Sequence, residues 1–273
     1  MNTSWTAKVY DVETAFLYGD LDEPVYLKIP QGLQYFVSDL NPKVDCLLLN
    51  KAVYGLVQAA RQWWRKFINM LVNEFHFTRS QADACVLIRT DSSGTIMLCI
   101  YVDDALMVGD QAAINKTVEQ LRSKVTLKEV GSLTEYVGCT VIREGNCNKL
   151  WMCQPDLIVK MDRIFDKYVS PLQTYKTPAA PGEIITKPVD DTEKVDGDMQ
   201  KLYRSGVGML LYLIKFSRPE ISNAVREIAK VMDGPTPAHM KSLFCLIKYV
   251  IDTKHFGLVM MPEQPKIENT WEL

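Results

Sequence analysis

With 273 residues, 47% hydrophobic and 23% charged, the chain holds enough apolar side chain to bury one large core or two modest ones. No apolar run nears the ~20 residues of a membrane-spanning helix, and no basic stretch leads into an apolar one at the start, so a soluble intracellular protein with no membrane partner is expected. A net charge of −2 excludes a uniformly basic surface, and any nucleic acid must then meet its cations along one channel.

In chain order, weak alternation predicts a strand over 5–10 that runs straight into Asp11. A short helix or turn over 14–17 closed by Gly19, a strand over 25–29 and a loop over 30–41 follow. Trp63, Trp64, Phe67, Ile68, Leu71, Val72 and Phe75 recur at helical spacing and predict one amphipathic helix over 59–75. Strands over 86–89 and 96–102 flank the turn Asp91-Ser92-Ser93-Gly94, and a further apolar stretch over 105–108 follows Asp103-Asp104 directly. That arrangement reads as a hairpin with two aspartates at its tip. Asp110 is the expected cap of a helix carrying Ile114, Val118, Leu121 and Val125. A hairpin over 135–143 and 150–154, turning at Glu144-Gly145-Asn146, precedes a helix from Pro155 through Tyr168.

Residues 170–199, with Pro171, Pro178, Pro181 and Pro188 and a loose acidic run, read as a mobile linker and a domain boundary. Three helices over 200–216, 219–233 and 237–252, a strand over 256–260 and a tail over 261–273 complete the chain. The seven cysteines include no CxxC pair and there are only three histidines, so reduced thiols are expected rather than a zinc site or a disulfide framework.

The chemistry lies in the carboxylates. Adjacent aspartates suit a solvated turn, and Asp11 could simply cap the short helix after it. The apolar flanks of Asp103-Asp104, however, predict a hairpin buried on both faces, where paired carboxylates repel and call for a cation. Mg²⁺, which takes a few carboxylates plus substrate phosphates, is the natural one. If the strand ending at Asp11 lies beside that hairpin, three carboxylates converge as ligands for two Mg²⁺ ions acting on a phosphoryl group.

Ordered motifs extend this reading. Lys8-Val9-Tyr10-Asp11-Val12-Glu13-Thr14-Ala15-Phe16-Leu17, Lys51-Ala52-Val53-Tyr54-Gly55-Leu56, Gln58-Ala59-Ala60-Arg61-Gln62-Trp63 and Tyr101-Val102-Asp103-Asp104 resemble successive polymerase motifs of copia-type LTR retrotransposon reverse transcriptases. Gly131-Ser132-Leu133, Val137-Gly138 and Ser217-Arg218-Pro219-Glu220-Ile221 extend the resemblance over nearly the whole chain.

The resemblance implies an α+β right-hand polymerase fold. Residues 1–169 would form a palm, an antiparallel sheet with packed helices, with truncated fingers and the primer-grip region; residues 200–260 would form a helical thumb or connection. It implies RNA-directed DNA polymerase activity on an RNA or DNA template, a nucleic-acid primer and dNTP. Asp11 and Asp103 would hold two Mg²⁺ ions with Asp104 assisting, Phe16 would form the steric gate under the sugar, Gln58 would touch nucleotide and template, and Tyr101 would sit near the primer end. Trp63 and Trp64 are read as core.

Val57 stands where the family commonly has Lys, Ala60 where it has Pro, and Glu129 where it has Asp. Lys8 is the only basic residue before Asp11, so little polymerase activity by the chain alone is expected, as from a polyprotein fragment whose ribonuclease H and integrase parts lie elsewhere. The setting would be a cytoplasmic virus-like particle or the nucleus. Two alternatives are a catalytically inactive retroelement relic or nucleic-acid-binding module, and a haloacid-dehalogenase-like phosphatase. The phosphatase would use Asp11 in a strand end similar to Asp-x-Asp-x-Thr, with Glu13 in place of the second Asp, and would need a parallel sheet.

Overall fold

The computed structural model describes residues 5–37, 40–143, 149–188 and 193–261. The chain divides into two compact units, Met1–Leu133 and Thr134–Leu273. The expected turn at Glu144-Gly145-Asn146, the expected tail beyond 261 and part of the acidic run lie outside the described residues.

The first unit is built on a six-stranded sheet of order β4-β5-β6-β7-β1-β8. Its members are β1 (Thr6–Val12), β4 (Thr78–Arg79), β5 (Val86–Asp91), β6 (Gly94–Tyr101), β7 (Asp104–Gly109) and β8 (Leu127–Ser132). Every pairing is antiparallel, which excludes the parallel sheet that the phosphatase alternative requires. Alternation sends Tyr10 and Val12 of β1, Leu98 and Ile100 of β6 and Ala105 and Met107 of β7 into one core. Two helices cover that face: α1 (Ala59–Asn69) through Trp63 and Phe67, and α2 (Gln111–Arg122) through Ile114, Val118 and Leu121. Ahead of α1 lie a 3-10 turn (Ala15–Tyr18) and a two-stranded ribbon of β2 (Tyr26–Lys28) and β3 (Cys46–Leu48).

Several expectations are corrected in this unit. The helix predicted over 59–75 is α-helical only to Asn69 and then widens into a π turn (Met70–Glu74), with the Phe75 amide donating to the Met70 carbonyl. Asp110 occupies the N-cap position of α2, but its carboxylate accepts from the Thr95 amide at 2.7 Å instead of capping the helix. The start of β6 offers a competing donor, and the carboxylate takes it. Strand β8 is an addition: Val130 bulges where the register on β1 shifts between Val9 and Tyr10, which breaks the two-residue period that would reveal it. At the far edge of this core the buried Arg89 is held through both terminal nitrogens, while its Nε makes no hydrogen bond. It donates to Phe75 O, Gln120 Oε1 and Thr117 Oγ1, pairs with Asp91 at 3.2 Å and lies over the Phe77 ring.

The second unit has a four-stranded antiparallel sheet of β9 (Glu135–Tyr136), β10 (Cys139–Arg143), β11 (Leu150–Cys153) and β12 (Leu258–Met260). The stretch expected as one strand over 135–143 folds back on itself at Val137 and Gly138, whose φ of 49° and 67° are those of a two-residue hairpin turn. Helices α3 (Pro155–Phe165), α4 (Gly197–Phe216), α5 (Ser222–Ala229) and α6 (Pro237–Asp252) bury Met161, Phe165, Tyr203, Leu210, Val225 and Leu243 in a second core. Here α3 stops three residues short of Tyr168.

The segment expected to be a linker, 170–199, lies inside this unit, and the division of the chain falls at Leu133/Thr134 instead. Ile185 is buried, its amide donates to Glu227 Oε2, Ser242 donates to Glu183, and the Cys245 thiol meets the Tyr175 hydroxyl at 3.1 Å. Proline content reports irregular backbone; whether that backbone is tethered depends on contacts far away in sequence. The six described cysteines form no disulfide, and among the described residues no helix is long and apolar enough to cross a membrane.

Candidate active site

Strand β1 lies between β7 and β8, and its register sets Asp11 opposite Asp104 on one side and opposite Lys128 on the other. Paired residues in adjacent strands point to the same face. Tyr10 and Val12 point into the core, so Asp11, Asp104 and Lys128 project from the opposite face of the sheet. Tyr101 pairs with Asp104 across the β6–β7 hairpin and joins that face, 46% exposed.

The hairpin loop consists of Val102 and Asp103, so its tip is Val-Asp, and the expected two-aspartate tip is corrected by one residue: Asp104 already belongs to β7. Val102 takes a φ of 58° while Asp103 does not, the pattern of a II′-type turn that favours glycine at its first position. A β-branched residue there is strained. Two contacts hold the tip. The Val12 amide donates to the Asp103 carbonyl at 2.9 Å, and the indole Nε1 of the buried Trp63 donates to the Val102 carbonyl at 2.7 Å. Trp63 is thus core, as expected, and also the link from α1 to the hairpin.

Electrostatics identify the strained charges. Burial, followed by the charge of Asp103, raises the pKa of both Asp11 and Asp104, and Lys128 partly offsets the effect at Asp11. These carboxyls therefore hold their protons more tightly than ordinary aspartates. Among the described residues, no three acidic, His or Cys side chains are drawn into a ready-made metal cage. The carboxylates share a face without closing on a centre.

Phe16 and Gln58 belong to the same unit. Phe16 sits half-buried in the 3-10 turn after β1, its ring 4.6 Å from that of Tyr54. Gln58 stands at the N-terminus of α1 with its side chain making no cap hydrogen bond, which leaves its amide uncommitted to the helix. The structure therefore joins Asp11, Asp103, Asp104 and Tyr101 directly, and sets Phe16 and Gln58 on the elements that flank them. Lys128 and Tyr54 are the residues that sequence reasoning missed. Lys128 follows Leu127 in a short alternating stretch, a signal hidden by the bulge; Tyr54 lies in a quoted motif, with nothing local to say what its ring meets.

Comparison with known proteins places this arrangement. The sequence profile described as reverse transcriptase (RNA-dependent DNA polymerase) matches residues 1–178. The chain is 32% identical over 247 residues to a retrovirus-related Pol polyprotein from transposon TNT 1-94 of Nicotiana tabacum, covering 89% of this chain and 18% of that protein. It is 30% identical over 268 residues to a retrovirus-related Pol polyprotein from transposon RE1 of Arabidopsis thaliana, covering 95% of this chain and 17% of that one. A putative transposon Ty5-1 protein of Saccharomyces cerevisiae is 29% identical over 249 residues, covering 91% of this chain and 77% of its own length. The chain thus spans under a fifth of the two plant polyproteins and most of the yeast protein.

Proposed function

This chain belongs to the reverse transcriptase (RNA-dependent DNA polymerase) family of copia-type LTR retrotransposons, and from that premise we propose that the face of the six-stranded sheet that carries Asp11 and Asp104 is a nucleotidyl-transfer site. The sheet with α1 and α2 would be the palm, the β2–β3 ribbon part of the fingers, and the helices of the second unit the thumb or connection. The substrates are an RNA or DNA template, a nucleic-acid primer and a dNTP; the primer 3′-hydroxyl attacks the α-phosphorus and pyrophosphate leaves.

One observation carries the reading: Asp11 and Asp104 are register partners on one face, with Asp103 at the adjoining tip. Their raised pKa values reflect burial and mutual repulsion, which a divalent cation relieves, so the donor set fits Mg²⁺. Asp11 and Asp103 would hold the ions and Asp104 assist. Two such ions, when bound, lower the pKa of the attacking hydroxyl and neutralise the leaving pyrophosphate. Tyr101 flanks the primer end, Phe16 closes the space beneath the sugar against a 2′-hydroxyl, and Gln58 offers its free amide to nucleotide and template.

The test is dNTP binding to the chain on an RNA template with a chain-terminated primer, with and without Mg²⁺, paired with extension of an open primer. Mg²⁺-dependent binding, weakened at least about tenfold in Asp11→Asn and Asp103→Asn, is expected, with slow extension that both variants abolish. Binding that ignores Mg²⁺, or that both variants retain, would overturn the assignment.

A further inference from the structure

The contact between Phe16 and Tyr54 is built from several directions. Residues 53–56 form a turn closed by the Leu56 amide on the Val53 carbonyl, with Gly55 at a φ of 96°, the third-position conformation of a type II turn. Tyr54 is at the corner of that turn. The turn is moored to the segment that follows Phe16: the amide of buried Ala52 donates to the Gly19 carbonyl at 3.0 Å, and Lys51 pairs with Asp20. Asp20 is held in turn by Lys66 of α1 at 2.9 Å. Gly19 closes the 3-10 turn that carries Phe16, its amide donating to the Phe16 carbonyl. Backbone, ion pairs and helix thus converge on a single relative placement of two rings.

The outcome is an aromatic pair with centroids 4.6 Å apart and planes tilted by 39°, one ring half-buried, the other 56% exposed. An exposed tyrosine with this much scaffolding behind it does little for the core. Its ring limits the directions in which Phe16 can swing. A steric gate is only as selective as its wall is immobile: a ring free to rotate yields to an added hydroxyl.

We infer that Tyr54 is a specificity-determining positioning residue, which backs Phe16 so that exclusion of ribonucleotides depends on the Tyr54 ring acting through Phe16. This rests on the gate role proposed above for Phe16. The ring and not the hydroxyl carries the effect, so phenylalanine substitutes for tyrosine.

Equilibrium binding of dCTP and CTP opposite a template G, on the full chain with RNA template, terminated primer and Mg²⁺, tests it as a preference ratio. Phe16→Ala is expected to lower the preference for dCTP about 100-fold and Tyr54→Ala about tenfold. Tyr54→Phe should keep it, and the double alanine variant should fall no lower than Phe16→Ala alone. Tyr54→Leu, which keeps bulk without a ring, repeats the test should the alanine variant fold poorly. A wild-type chain that binds no dCTP, or a Phe16→Ala chain with its preference intact, overturns the gate reading itself. Where Phe16→Ala lowers the preference, retention in Tyr54→Ala, loss in Tyr54→Phe, or an additive double variant overturns the role of Tyr54 and leaves the gate standing.

Discussion

Asp103 acts on its neighbours through charge. It is a cause of the raised pKa at both Asp11 and Asp104, after burial, and it sits in a two-residue loop whose other member, Val102, is in a left-handed conformation. Native Asp11 and Asp104 therefore hold protons that the unfolded chain releases, and their contribution to stability falls as pH rises from the ordinary carboxylate range through the raised values. Mg²⁺ held at the proposed site would compete with those protons, so its affinity should rise across the same window. In chelator near neutral pH, Asp103→Asn should raise the melting temperature by roughly 2–4 °C through lost repulsion. Mg²⁺ should then stabilise the wild-type chain and leave the variant unmoved. A variant that melts lower than wild type in chelator would show that the repulsion is not there. Asp11 and the Asp103-Asp104 pair were legible as candidate ligands because apolar strands carry them. Lys128 was not, because its partnership with Asp11 is a matter of register across 117 positions, from 11 to 128.

Among the elements, the β6–β7 hairpin depends on α1. The Trp63 indole bonds a carbonyl of the tip while its ring stacks on Phe67 at 4.7 Å, so a core residue also fixes a strained loop. Trp63→Phe keeps an aromatic and removes the donor. It should cost about 1–2 kcal/mol in urea unfolding and lower dNTP binding, because the tip that carries Asp103 loses its tether. Loss of stability with dNTP binding intact would reduce Trp63 to a core residue. The stripe of α1 was visible as helical periodicity. Its π turn was not, since one widened turn leaves the same residues apolar. The split of 135–143 into β9 and β10 was hidden for a related reason: Val137, at positive φ, carries no turn signal in its side chain.

At the scale of the whole molecule there are two cores, each with its own helices. In the second, Gly206 of α4 admits close packing: a Cβ there would lie 3.0 Å from Phe165 Cζ and 3.2 Å from both Leu243 methyls. Gly206→Val should cost about 1–3 kcal/mol of that unit's stability by overpacking. Mg²⁺ binding at the proposed Asp11 and Asp103 site should persist, which Mn²⁺ titration alongside a melt would show; loss of both together would mean that the site depends on the second core. By itself the sequence determined the family, the strand-hairpin-helix order of the first unit and the identity of the acidic residues, because these are local: spacing, apolar flanks and ordered motifs. Only the tertiary structure decided that Asp11 faces Asp104 and Lys128, that the Tyr54 ring meets that of Phe16, and that the proline-rich stretch from 170 is tied to α5 and α6. Each of those joins residues far apart in the chain, and the free energy that selects such a pairing belongs to both partners and is written in neither segment alone.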